Sequence, residues 1–170
     1  MKTRILTGSV FVLLFAVTFG IAAPKADFNG KWMMDRDKSQ GMPPGMDQVM
    51  IIKQAGDQIN LDTRVLPDEQ MGYTQSDVYT VSGQEVAFAP RRAGVEGKGK
   101  RTAKWTDDGM GIEVVEEASF DTPQGKIEVK YNRKWLMSGD GKSITIDMTQ
   151  EDAKGTVRTK RIFMKLPPQP

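Results

Sequence analysis

Three arginines, Arg101, Arg133 and Arg161, together with Glu116 and Tyr131, are the residues whose types and spacing could do chemistry together. Each stands in a stretch that alternates apolar and polar residues. Alternate residues of a β-strand share one face, and each of these five falls on the face that carries the apolar residues. Guanidinium groups present a rigid fork of donors suited to carboxylates and phosphates. Arginines on an otherwise apolar wall therefore point to binding an anion.

Other chemistries are disfavoured by composition. The chain has no His and no Cys, which removes His-based triads, Cys nucleophiles, the usual zinc sites and His-ligated haem. Adjacent acids such as Asp107-Asp108 and Glu116-Glu117 sit in a turn or point to opposite faces of a strand, and make poor paired carboxylates. Gly94-x4-Gly99-Lys100 approaches a phosphate-binding loop, but Arg101 replaces the Ser or Thr that binds magnesium and no helix follows. Asp35-x-Asp37-x-Ser39 starts like a calcium loop, then has Gln40 where the turn glycine belongs and Met46 at the Glu position. Met42, Met46 and Met50 are evenly spaced thioethers of the kind that hold Cu(I), but the spacing crosses Pro43-Pro44. The expectation is a non-enzyme without metal or cofactor.

The elements that must position the arginines are strands. Gly109, Gly125, Gly141 and Gly155 recur at intervals of 16, 16 and 14 residues, each closing a polar segment of four. Glycine supplies the positive φ that short hairpin loops need. Ten strands are predicted at roughly 28–34, 49–54, 58–65, 73–81, 84–89, 99–105, 110–121, 126–137, 142–150 and 155–166, with no sustained helical period. Residues 35–48 are expected to be a loop, because Gly41, Pro43, Pro44 and Gly45 break regular structure, and 90–98 a second, mobile connection.

Pairing 105 with 110, 121 with 126, 137 with 142 and 151 with 156 sorts the residues by face. Ala103, Trp105, Ile112, Val114, Ala118, Phe120, Ile127, Val129, Tyr131, Trp135, Ile144, Ile146, Met148, Val157 and Phe163 share one face. Lys100, Lys104, Glu113, Glu117, Lys126, Glu128, Lys130, Lys134 and Asp147 take the other. The same arithmetic aligns Arg101, Val114, Arg133, Ile146 and Arg161 in one transverse row, with Glu116 one pair along, opposite Tyr131. One reading is a partly hydrated cavity whose arginines hold an anionic head group between aromatic and aliphatic walls. The other is an internal ion-pair network centred on Glu116, or arginines plugging one barrel end.

Residues 1–22 read as a signal peptide: Lys2 and Arg4, an apolar stretch from Ile5 to Ile21, and a Gly20-Ile21-Ala22 cleavage site. Cleavage after Ala22 implies a periplasmic or secreted protein with no stable membrane insertion. The remainder, with the barrel over 27–166, is the usual size of one domain. The chain holds 24 Lys+Arg against 22 Asp+Glu, and both leader charges are basic. The mature balance is neutral, which disfavours nucleic acid. Residues 91–104 hold six bases and one acid, and 107–121 six acids and no base, as adjacent strands with paired solvent faces would.

Phe28-x-Gly30-x-Trp32, with Asp35 and Lys38-Ser39 following, resembles the opening of small secreted bacterial lipocalin-like proteins of the calycin superfamily. With the strand pattern, the resemblance spans the chain after the leader. It implies an antiparallel up-and-down meander of about ten strands closed into a barrel. Trp32 would pack across the closed end, covered by a late arginine, Arg158 or Arg161. The implied function is binding a small apolar molecule. Fatty-acid-binding members hold a carboxylate with an Arg-x-Tyr pair on the last strand, which Arg161-Ile162-Phe163 matches only in part. Their helical lid has no counterpart in 35–48.

The function expected is non-catalytic binding of a small apolar or amphipathic ligand, with an anionic head group as one form. Arg101, Glu116, Tyr131, Arg133, Trp135 and Arg161 are the candidate ligand residues, and Gly30 and Trp32 the structural motif. The alternative is a solid-core barrel acting as a protein-interaction or envelope-structural module. The two differ in whether the interior is a cavity or a packed core.

Overall fold

The computed structural model describes residues 24–41, 47–66, 74–92 and 94–167. The leader 1–22, residues 42–46 and the last three residues, 168–170, lie outside the described residues. Twelve strands follow one another with no helix among the described residues: β1 (Gly30–Gln40), β2 (Asp47–Ala55), β3 (Gln58–Leu66), β4 (Thr74–Thr80), β5 (Glu85–Phe88), β6 (Arg91–Arg92), β7 (Val95–Glu96), β8 (Lys98–Trp105), β9 (Gly111–Thr122), β10 (Gly125–Met137), β11 (Ser143–Asp152) and β12 (Gly155–Lys165). Ten of them form one antiparallel sheet in the order β4-β3-β2-β1-β12-β11-β10-β9-β8-β5. Every neighbour is also a neighbour in sequence, apart from β1 with β12 and β5 with β8. The Trp32–Lys165 pairing of first and last strands curls the meander into a calycin-like barrel. Among the described residues, only between β4 and β5 does the ring lack a backbone ladder.

Two connections depart from the sequence expectation. β1 continues to Gln40, past the expected loop start at 35, by accommodating an irregularity between Asp35 and Gln40. Ser39 makes this possible: its hydroxyl donates to the Asp35 carbonyl at 2.6 Å and accepts from the Ile162 amide at 3.0 Å. Within 90–98, expected to be a mobile connection, Arg91 pairs with Glu96 and Arg92 with Val95 as two antiparallel rungs.

The face assignment holds along β8 to β12 with one exception. Val157 lies on the inward parity yet is 56% exposed, two residues from the β11–β12 hairpin. The register differs from the arithmetic in two of the four hairpins. Trp105 pairs with Ile112 and Met137 with Ile144, each two residues further on than expected. The cause is local. Thr106 and Ser138 hydroxyls accept from the amides of Gly111 and Ser143, at 2.8 and 2.9 Å, and donate to Asp108 and Asp140. Gly109 and Gly141, at φ of 70° and 68°, thus sit next to last in their loops rather than last. A slip of two preserves each face but changes every partner.

Consequently the arginines do not form one row. Arg101 lies opposite Glu116, Arg133 opposite Val114 and Met148, and Arg161 opposite Ile146. The interior is layered along the strands. An apolar base holds Phe28, Trp32, Trp135, Ile112, Ile144 and Phe163. A second cluster at the other end holds Ala118, Phe120 and Val129, with Val95, Ile127 and Tyr131 against it. Glu116 falls between the two clusters on β9.

Candidate functional site

The G-x-W segment closes the base. Trp32 is fully buried and its indole N–H donates to the Phe28 carbonyl at 3.0 Å. Phe28 in turn stacks on Trp105 and meets Trp135 edge-on. The late cation over Trp32 is a lysine: Lys165 Nζ stands 5.0 Å from the ring centroid. Neither Arg158 nor Arg161 takes the role expected of it, because the β1–β12 register puts Lys165 opposite Trp32. Gly30 is required there. At φ 136°, a backbone conformation that side-chain-bearing residues rarely adopt, a Cβ would also stand 3.0 Å from Lys165 Cε and crowd the lysine stem.

Above this base lies a charged belt. Glu116 accepts from Arg101 Nε and from Arg133 Nη1. Arg101 also donates to Asp77 at 2.8 Å and to the Val78 carbonyl at 2.9 Å. Its guanidinium carbon lies 4.3 Å from the Tyr79 ring centroid and 4.2 Å from that of Phe88, a cation between two π faces. Arg133 covers Tyr131 at 4.8 Å. Burial alone would lower the pKa of Arg101 and Arg133; neighbouring Tyr79 and Glu116 outweigh it and hold both above the ordinary arginine value. Burial drives the Tyr79 phenol well above the usual tyrosine range.

The structure thus joins Arg101, Glu116, Arg133 and Tyr131 in one network. Trp135 and Arg161 lie outside that network but share with Arg133 the wall of an interior cavity of about 110 Å³. Its polar lining includes Gln75, Asp77, Tyr79, Arg133 and Arg161, and Met50, Leu61, Trp135, Ile146 and Phe163 form apolar wall. Arg161 donates to Gln48 Oε1 at 3.1 Å. Sequence reasoning missed Asp77, the second acid of the belt, which Gln75 also contacts at 2.8 Å. The signal was available: Asp77 is two residues from Tyr79 and shares its inward parity.

Within the belt the acids are spent on arginines that are already there. Arg101 and Glu116 are 4% and 3% exposed, so a ligand would meet this pair only after displacing an ion pair. Arg133, Trp135 and Arg161 are the expected site residues that border free volume.

Fold and site together define a calycin-like β-barrel with a small polar-lined interior cavity. No protein-family model matches the chain, and no curated protein matches it. Among solved structures it is similar to the zebrafish ileal bile acid-binding protein complexed with cholic acid. The TM-score is 0.52 at 20% sequence identity, over 82% of this chain and 98% of that one. The likeness is one of fold.

Proposed function

We propose that this is a non-catalytic barrel of the periplasm or extracellular space that binds a small amphipathic molecule. The polar end of the ligand occupies the cavity beside Arg133, Trp135 and Arg161. The observation that carries this reading is the cavity itself: an interior space lined both by apolar side chains and by hydrogen-bonding groups. A protein of the same fold holding an amphipathic molecule, cholic acid, supports it. The test is native mass spectrometry of the protein purified from its own host, with uptake of a fluorescent fatty acid by the emptied protein. A retained small molecule or saturable uptake is expected; absence of both would remove the reading.

One observation favours the alternative of a solid-core interaction or envelope module. At about 110 Å³ the cavity falls below the roughly 300–1,000 Å³ of ordinary ligand pockets. Only part of an amphiphile fits it, and the ligand proposed here must extend beyond it.

A further inference from the structure

One inward-facing apolar residue of β12 is left uncovered. Val157 shares its face with Arg161 and Phe163, because the β11–β12 register runs unbroken from Ser143 opposite Met164 to Asp152 opposite Gly155. Arg161 and Phe163 line the cavity, yet Val157 is 56% exposed. The cause is strand length. β1 pairs with β12 only as far as Lys160, and β11 and β12 run on beyond it. Register also fixes what lies beside Val157. It stands opposite Gln150, which stands opposite Tyr131 and turns its amide to Asp152 at 3.3 Å. The next inward row holds Thr159, Met148 and Arg133, of which Met148 and Arg133 border the cavity. Rows on one face are two residues apart, roughly 7 Å. Burial falls along β11 and β12 on this face, from Ile146 at 7% through half-buried Met148 to exposed Val157. The cavity wall thus runs out into solvent here. On β9 the same end is closed, with Val95 packed against Ala118, Phe120 and Val129.

We infer that Met148, Tyr131 and Val157 form an apolar lip that carries the non-polar part of the ligand out of the cavity, toward the β11–β12 hairpin. The inference rests on the interior-binding reading above and assigns the residues that read the ligand's length. At about 110 Å³ the cavity holds only part of an amphiphile, and the remainder needs apolar surface continuous with it. The lip supplies that surface. Arg133 joins the two, since it borders the cavity and covers the Tyr131 ring at 4.8 Å. The occupant is an alkyl chain, narrow enough to lie along three side chains.

The experiment titrates butanoate and decanoate into the purified protein while the ¹³C-labelled valine methyls are followed. The two probes share a head group, and only the longer chain outgrows the cavity. Decanoate is expected to bind tighter than butanoate and to shift the Val157 methyls, which butanoate leaves in place. Val157→Asn should weaken decanoate roughly tenfold, the worth of about two methylenes returned to water, and leave butanoate unchanged. Val115→Asn, at a valine 40% exposed on the opposite face of β9, should change neither. Decanoate bound equally well by Val157→Asn overturns the lip and leaves the interior-binding reading standing. A wild type that takes up neither probe overturns both. A dimer that Val157→Asn dissociates, or contacts from residues 42–46 to the Val157 methyls in the ligand-free protein, would give the lip another occupant and overturn the inference.

Discussion

Arg101 Nη1 donates a 2.9 Å hydrogen bond to the Val78 carbonyl across the one interval of the barrel that has no backbone ladder. A side chain from β8 thereby does part of the work of a missing strand pairing. The same guanidinium is sandwiched by Tyr79 of β4 and Phe88 of β5, so it ties both edges of the seam to β9 through Glu116. Exposed sheet edges invite unwanted pairing, and this clasp occupies theirs.

Arg101→Ala should destabilise the fold by about 3–5 kcal/mol, the usual loss when one member of a buried charge network is removed. Asp77 then loses its cation and Glu116 keeps only Arg133. In hydrogen exchange, β4 and β5 should lose protection beyond the global change. A urea melt shifted by less than about 1 kcal/mol, with unchanged β4 exchange, would show that the seam does not depend on the clasp.

Arg133→Leu should cost less, about 1–3 kcal/mol, because Glu116 retains Arg101. Glu116→Gln in the same background should recover part of that loss, giving a double-mutant coupling of at least 0.5 kcal/mol. Additive effects in denaturant melts would mean that the two side chains are energetically independent.

Trp32→Ala is expected to destabilise by about 3–5 kcal/mol, as for other buried large aromatics. Trp32→Phe keeps an aromatic ring beneath Lys165 but loses the bond to the Phe28 carbonyl, at about 1 kcal/mol. A Phe variant as damaging as the Ala variant would assign the role to the hydrogen bond instead of the ring.

Alkali should unfold the protein through Tyr79. Its folded pKa is raised by burial above the ordinary tyrosine value of about 10, so the folded state keeps a proton that the unfolded state releases. The contribution to stability is therefore complete below pH 10 and declines as pH rises above it. Tyr79→Phe should flatten the alkaline limb of the stability profile. Ultraviolet titration of the wild type should show one phenol ionising only with unfolding. A phenolate spectrum complete in the folded state at about pH 10 would exclude this.

The strands of this chain and their inward faces are local properties, and they were legible in the sequence. Alternation has a period of two, and loop glycines mark the hairpins, so Trp135 and Arg133 could be set inward without knowing any partner. Register was not legible, because a slip of two residues leaves the alternation intact. It took the Thr106 and Ser138 hydroxyls to place Arg101 opposite Glu116 and move the three arginines off a common row. Pairings between distant segments were equally hidden. Arg101 meets Asp77 across 24 residues of chain, and Lys165 takes the place over Trp32 expected of an arginine because β1 and β12 meet at that rung. Long-range contacts and the volume left between them depend on how the sheet curls. The 110 Å³ cavity and the uncovered Val157 one row beyond its wall exist only in the folded barrel.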